Sequence, residues 1–527
     1  MDFEKLSAYK KLQELAKNPP DLTKNSVFNI DRIKNFVAKS KDYTLFYAGE
    51  RVNEDIIKTL FELAKEASAL EKMQNMQNGE IVNFIRGFPS ENRAALHTAT
   101  RDFFSGDKKS KTANEAKALA YAEYEKLKRF LAEIETFDRF QDLIMIGIGG
   151  SDLGPYANFL ALAHLIKKGR RAFFINNIDP DNLHRVIESA NLDKTLVAVV
   201  SKSGNTLETM TNEAFLRDCF VKAGLDPRKH FVAVTGEGSP MDDKSLYLDT
   251  FYIWDWIGGR FSSTSMVGGV LLGFAFGMEI FTEFLKGASE MDHAALNPNL
   301  SENIPLLGAL LSIWNRNFLH YETLAVIPYS QALSRFPAHF QQLSMESNGK
   351  HIDKEGKRTP FQTGMIIWGE PGTNAQHSFF QLLHQGVDPI PIEFIGFIES
   401  QSRFDFIFNG TTSQEKLLSN LLAQSISLAT GKKSDNPNKE FDGNRPSHIL
   451  MAEQLTPKTL GELLAYFEHK TAFEGFIWNI NSFDQEGVQL GKVVAEKIID
   501  QFASERKKEF NEGYGVAKAY LELFKKV

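Results

Sequence analysis

Leu143-Ile-Met-Ile-Gly147-Ile148-Gly149-Gly150-Ser151-Asp152-Leu153-Gly154-Pro155 is an apolar run that halts at glycines and opens a helix. The run shows no polar alternation, which is how a strand covered on both faces is written. Working outward, the same unit recurs. Short apolar runs at Ala172–Ile175, Leu196–Val200, Phe231–Val234 and Phe251–Ile253 are each followed by a turn signal and a helical pattern. A strong helix, Asn114–Glu135, precedes them. A second series follows at Thr323–Ile327, Met365–Trp368, Ile392–Ile398 and His448–Met451. Strands alternating with helices predict an α/β fold of two doubly wound parallel-sheet domains, each an αβα sandwich.

The remaining segments are helical in pattern. The first 110 or so residues mix polar and apolar positions, and Val493–Val527 alternates charges. The expected organisation is an N-terminal helical segment over 1–112, a first sheet domain over 113–290, a second over 291–500 and a C-terminal helical tail over 501–527. Ser347–Gln362 and Ser434–Ser447 are polar and read as loops. Met266–Met278, the longest apolar run, is too short to span a bilayer and reads as a buried helix.

The bulk numbers narrow the class. A chain of 527 residues with 43% hydrophobic and 24% charged residues is that of a soluble globular protein of more than one domain. A net charge of −7 gives no basic footprint for nucleic acid or a membrane surface. The one cysteine, Cys219, forms no intrachain disulfide and is expected to be a small buried residue in a reducing, cytoplasmic setting. No basic-then-apolar leader opens the chain.

Ligands of doubly wound sheets sit beyond the carboxyl ends of the strands, so those ends hold the candidates. Gly147–Pro155 lets backbone N–H groups approach an anion, but Asp152 stands where a dinucleotide fingerprint needs its third glycine. Ser201-Lys202-Ser203-Gly204-Asn205-Thr206, with Thr209 a turn later, places four hydroxyls at one helix start. One hydroxyl caps a helix; the surplus favours a phosphate cradle. In Gly258-Gly259-Arg260-Phe261 an arginine is pinned after glycines, either facing a cleft or merely beside a turn. Gln342 and Glu346 share a helix face; a carboxylate there is a base candidate, although a solvated one is commoner. His377 after Gly369-Glu-Pro-Gly-Thr-Asn-Ala-Gln376 is an acid–base candidate, or simply packs at a helix start. Gln485 and Lys492 are seven apart, so two helical turns would align them, although a surface lysine is the ordinary case. The other histidines lack metal-ligand spacing, so no metal site is expected.

Taken together, Ile-Gly-Ile-Gly-Gly-Ser-Asp-Leu-Gly-Pro, Gly-Gly-Arg-Phe-Ser, Met-Glu-Ser-Asn-Gly-Lys, Gly-Glu-Pro-Gly-Thr-Asn-x-Gln-His and Gly-Val-x-Leu-Gly-Lys resemble, in order, the glucose-6-phosphate isomerase (phosphoglucose isomerase) family over about residues 110–495. The resemblance implies two sugar-isomerase (SIS) domains, no cofactor and no metal. It also implies interconversion of glucose 6-phosphate and fructose 6-phosphate through an enediolate, in glycolysis and gluconeogenesis, and a homodimer without nucleic-acid or membrane partners. By the same resemblance Ser201, Ser203, Thr206 and Thr209, with Ser151 nearby, bind phosphate, Gly150, Gln342 and Gln485 contact the sugar, and Lys202 and Gly259 are further substrate-binding positions. Glu346 takes the place of the base and Arg260 that of the enediolate stabiliser. His377, given by the partner subunit, and Lys492 take the places tied to ring opening. Glu486 and Ala375 depart from the commoner aromatic residue and glycine. A non-catalytic sugar-phosphate sensor is the rival class; it would need the hydroxyl loop but not Glu346, His377 and Lys492.

Overall fold

Fully buried apolar segments become the central strands of two sheets. The computed structural model describes residues 2–104, 106, 109–137, 139–507 and 513–524. Of the tail expected over 501–527, residues 508–512 and 525–527 lie outside them. A hairpin of β1 (Val37–Ser40) and β2 (Tyr43–Phe46) comes first. After the long helix α1 (Lys111–Thr136) come β3 (Asp142–Ile146), β4 (Arg171–Ile175), β5 (Thr195–Ser201), β6 (Phe231–Thr235) and β7 (Asp249–Tyr252). These five pair in parallel in the order β4-β3-β5-β6-β7. The second sheet has β8 (Thr323–Pro328), β9 (Ile366–Trp368), β10 (Ile392–Phe397) and β11 (Ser447–Ala452). Its order is β1-β2-β11-β10-β8-β9.

Both sheets therefore start inside, step to one neighbour, then cross to the other side. In the first sheet that switch point lies between β3 and β5, and the loops leaving those strands are the glycine loop and the hydroxyl loop. The N-terminal region departs from its all-helical reading. Tyr43 and Leu45 alternate inward, and β2 pairs antiparallel with β11, extending the second sheet by the hairpin. A turn at Lys41, with φ +54°, joins the two short strands.

The apolar run Met266–Met278 is two helices rather than one. α4 (Met266–Phe276) is buried throughout, and Gly277 at φ +98° breaks it before α5 (Met278–Ala294). Cys219 is half-buried rather than fully buried. Among the described residues no helix is long and apolar enough to cross a membrane.

Helix α6 (Phe336–Asn348) packs on α7 (Pro457–Trp478). α7 is buried on every side from Thr459 to Trp478, with Glu462, Glu468, His469, Lys470 and Glu474 inside. Buried charges persist only when paired and hydrogen-bonded. Arg101 forks onto Asp292 at 2.9 and 2.6 Å and reaches Glu468 at 2.6 Å. Glu393 on β10 accepts from Lys470 and from Tyr466 Oη at 2.8 Å and lies 3.3 Å from His448 Nε2, while His448 Nδ1 lies 2.7 Å from Glu50. Burial opposes charge on His448, yet the carboxylates of Glu393 and Glu50 raise it to about 9. The chain forms two compact units, Met1–Ser482 and Phe483–Val527; the second carries helices Gln489–Lys507 and Gly515–Phe524.

Removing one partner from the Glu393 cluster leaves an uncompensated buried charge. Lys470→Met is expected to lose about 3–5 kcal/mol of stability in denaturant unfolding; a loss below about 1 kcal/mol would contradict the pairing. His448, raised from 6.5 to about 9, stabilises the fold in full below its unfolded value. That contribution fades as pH rises through 9, so the melting temperature should fall between pH 7 and 10, less steeply in His448→Gln.

Candidate active site

The glycine loop after β3 folds as a short 3₁₀ turn, Gly149–Ser151, before helix α2 (Leu153–Ala161). A second 3₁₀ turn, Gly259–Phe261, carries the arginine. The two turns meet backbone to backbone. A Cβ on Gly150 would sit 2.2 Å from the carbonyl carbon of Gly259, so only glycine permits the approach. Ser262 Oγ ties them, donating to Gly259 O at 2.7 Å and lying 3.3 Å from Gly150 O. A Cβ on Gly149 would stand 3.3 Å from Gln342 Nε2, so α6 closes the third side.

Arg260 is 2% exposed. Its Nε donates to Ser347 Oγ and its Nη2 to Ser482 O, each at 2.7 Å. Its Nη1 lies 3.4 Å from Glu346 Oε2. The Glu346 side chain keeps 22% exposure and accepts from Gln342 Nε2 at 3.2 Å, as their four-residue spacing on one helix face requires. A permanent cation is thus held by two neutral oxygens behind a carboxylate that reaches solvent. The C-terminal end of α6 is held by Asn348, which donates to Thr471 O and Glu474 and accepts from Ser482 Oγ at 2.7 Å. Burial pushes the Glu474 carboxyl up to about 7, against the pull of Lys470, Ser312 and Asn348.

The hydroxyl loop leaves β5 at Ser201 and enters helix α3 (Leu207–Lys222). Ser201 and Thr206 hydroxyls lie 2.9 Å apart, and Gly204 turns the loop at φ +68°. Thr206 precedes the helix without capping it, so the first-turn N–H groups face the loop with no side-chain acceptor. Thr209 Oγ1 is buried with no hydrogen-bond partner among the described residues. Lys202 Nζ donates to Ile257 O at 2.9 Å, tying this loop to the Gly259 turn. Burial, then the charge of Arg93, lowers its pKa.

The structure therefore brings Gly150, Gly259, Arg260, Gln342 and Glu346 together, and groups Ser201, Lys202, Thr206 and Thr209 on the neighbouring strand end. Ser151 ends the glycine turn, and Ser203 lies in the hydroxyl loop. His377 is exposed at the end of the turn Asn374–His377. Among the described residues no hydrogen bond or ion pair joins it to Glu346, Arg260 or the hydroxyl loop. Gln485 and Lys492 belong to the second unit. Gln485 precedes a 3₁₀ turn at Glu486–Val488, and the helix begins at Gln489, so the two-turn alignment expected of the pair does not form. Sequence reasoning missed Ser347 and Ser482, the two anchors of Arg260. Ser347 stood in plain view beside Glu346; Ser482 is 222 residues from the arginine it holds.

The family model for phosphoglucose isomerase matches residues 46–515. A glucose-6-phosphate isomerase of Protochlamydia amoebophila (strain UWE25) is 58% identical over 521 residues, covering 99% of this chain and 97% of that protein. The chain belongs to the phosphoglucose isomerase family. It is accordingly an isomerase. A second relative, a glucose-6-phosphate isomerase of Chlamydia pneumoniae, is 54% identical over 93% of each chain. The crystal structure of a glucose-6-phosphate isomerase from Chlamydia trachomatis D/UW-3/Cx superposes with a TM-score of 0.95 at 49% identity, covering 100% of this chain and 99% of that one. The phosphoglucose isomerase match extends upstream of the motif-bearing stretch and takes in β11's partner β2 through its last residue, Phe46.

The contact of the two glycine turns makes a direct test. Gly150→Ala forces a Cβ into the Gly259 backbone and should cost about 1–3 kcal/mol, read from denaturant unfolding. An unchanged midpoint would mean that the turns do not press together.

Proposed function

We propose that the chain interconverts D-glucose 6-phosphate and D-fructose 6-phosphate, with Glu346 moving the proton and Arg260 holding the charge. One observation carries the assignment: a fixed guanidinium 3.4 Å from a half-open carboxylate, at the strand ends where the hydroxyl loop lies. In this reading the substrate phosphate accepts from Ser201, Ser203, Thr206, Thr209 and Ser151 and from the free N–H groups opening α3. Lys202 adds positive charge and fixes the loop. Phosphate anchoring positions the reacting carbons, so remote binding energy is used for alignment.

His377 and Lys492 supply the acid and base that open the sugar ring, moving a proton from the anomeric hydroxyl and onto the ring oxygen. Glu346 then takes the C2 proton of the open aldose. The electron pair left behind forms the C1–C2 double bond of a cis-enediolate, with negative charge on oxygen. Arg260 offsets that charge without giving up a proton. Glu346 returns the proton to C1 while the hydroxyl proton on the C2 oxygen passes to the C1 oxygen, giving the ketose. Gly150, Gly259, Gln342 and Gln485 border the sugar. No step asks for a metal or a nucleotide.

The active form in this reading is a cytoplasmic homodimer, with His377 reaching the site from a second copy of the chain. Its exposure at the end of the turn Asn374–His377 supports that arrangement.

A dehydrogenase-coupled assay on fructose 6-phosphate checks the reaction. Glu346→Gln should lose about 10²–10⁴ in kcat, the weight of a general base, with the fold intact. Near-normal turnover by that variant would remove Glu346 from the role. For the shared site, inactive His377→Ala and Glu346→Gln chains unfolded and refolded together should regain activity, because mixed dimers hold one complete site. No recovery from a mixture that forms dimers would overturn the exchange of His377.

A further inference from the structure

A cavity of about 280 Å³ lies in the first unit, away from the site described above. None of Glu346, Arg260, Gln342 or the hydroxyl-loop residues lines it. Its walls are the helix Ala69–Gln77, the strand Ile81–Asn83, the loop following α6 and the last turn of α7. Two lysines line it. Lys72 Nζ donates to Phe476 O at 2.8 Å, and Lys354 Nζ donates to Val82 O at 2.7 Å. Phe476 and Val82 are themselves wall residues, so each ammonium is pinned at the cavity surface. The Lys354 backbone is fixed as well, its N–H donating to Asn479 O at 2.8 Å.

Burial pulls Lys72 down to about 8, with Glu71 opposing; burial and then the charge of Lys72 pull Lys354 down to about 8. Arg86 adds a third cation at the wall. Of the two carboxylates there, Glu80 is exposed and Glu355 lies 3.5 Å from Arg86. Two like charges brought within reach of each other in a partly desolvated wall favour an anion that both can share. The rest of the wall is apolar, from Ile81, Phe84 and Phe476. The volume lies at the small end of ligand cavities, which run roughly 300–1,000 Å³. That suits a skeleton of a few carbons and excludes a nucleotide.

We propose that this cavity is a second anion site that binds a small phosphate monoester, its dianionic group against Lys72 and Lys354 and its short carbon skeleton against Phe84 and Phe476. The site is separate from the hydroxyl loop and does not rest on the catalytic reading. Cations held on backbone carbonyls keep their positions whether or not the ligand is present, so the cradle is ready-made.

Titration calorimetry with glycerol 3-phosphate tests it, on the full chain. Lys72→Gln and Lys354→Gln should each weaken one saturable binding step tenfold or more. A Thr206→Val/Thr209→Val double variant of the hydroxyl loop should retain that step. The step should also weaken in the unaltered protein as pH rises from 7 to 9, because binding the dianion needs both amines protonated. An isotherm identical in the unaltered protein and both lysine variants would overturn the proposal. So would loss of all binding in the hydroxyl-loop variant alone, or absence of saturable binding at millimolar ligand. If one lysine variant fails to fold, the other variant and the pH series still decide.

Discussion

A guanidinium buried beside a carboxylate is a demanding thing to build, and much of this molecule is arranged around it. Arg260 is held by Ser347 Oγ and Ser482 O, with Glu346 at 3.4 Å. Moving a charge out of water costs several kcal/mol unless hydrogen bonds and an opposite charge repay it. Here two neutral acceptors, Ser347 Oγ and Ser482 O, give direction, and the Glu346 carboxylate keeps part of its surface open to solvent. The backbone contact of Gly150 with Gly259 fixes where the arginine enters, and α6 fixes where the carboxylate stands.

The second layer of support is α7. Its inward charges pair with elements from distant parts of the chain: Arg101, Asp292, Glu393 and, through Glu393, His448 and Glu50. One end of this network reaches the arginine turn: His97 Nε2 lies 3.9 Å from Glu468, and the His97 ring stacks on Phe261 with centroids 4.7 Å apart, next to Arg260. Another reaches α6 through Glu474 and Asn348. Pairing of this kind holds the Arg260 turn and the Glu346 end of α6 in one geometry.

The parallel strands were legible because burial on both faces leaves an unbroken apolar run; the strand ends then pointed to Ser201–Thr209 and Gly259–Arg260, and the four-residue helix spacing to Gln342 with Glu346. The hairpin Val37–Phe46 was not, because each strand is short and its partner β11 lies some 400 residues on. Gln485 with Lys492 failed as a helical pair for a local reason: the turn Glu486–Val488 is 3₁₀, so seven residues do not make two α-turns. The burial of α7 was hidden by its own charges, since Glu468-His469-Lys470 reads as a solvated face until its partners are known. Ser482 as an anchor of Arg260 could not be read at all; it is a backbone carbonyl, and any residue type offers one.

The central claim is that a carboxylate base moves a proton between neighbouring sugar carbons while Arg260 holds the intermediate. Isotope tracing in heavy water tests it most directly. Because Glu346 reaches solvent, glucose 6-phosphate recovered after many turnovers should carry deuterium at C2, detected by NMR or mass spectrometry. Complete retention of hydrogen at C2 after the same number of turnovers would mean that hydride passes directly between the carbons, and would contradict the account.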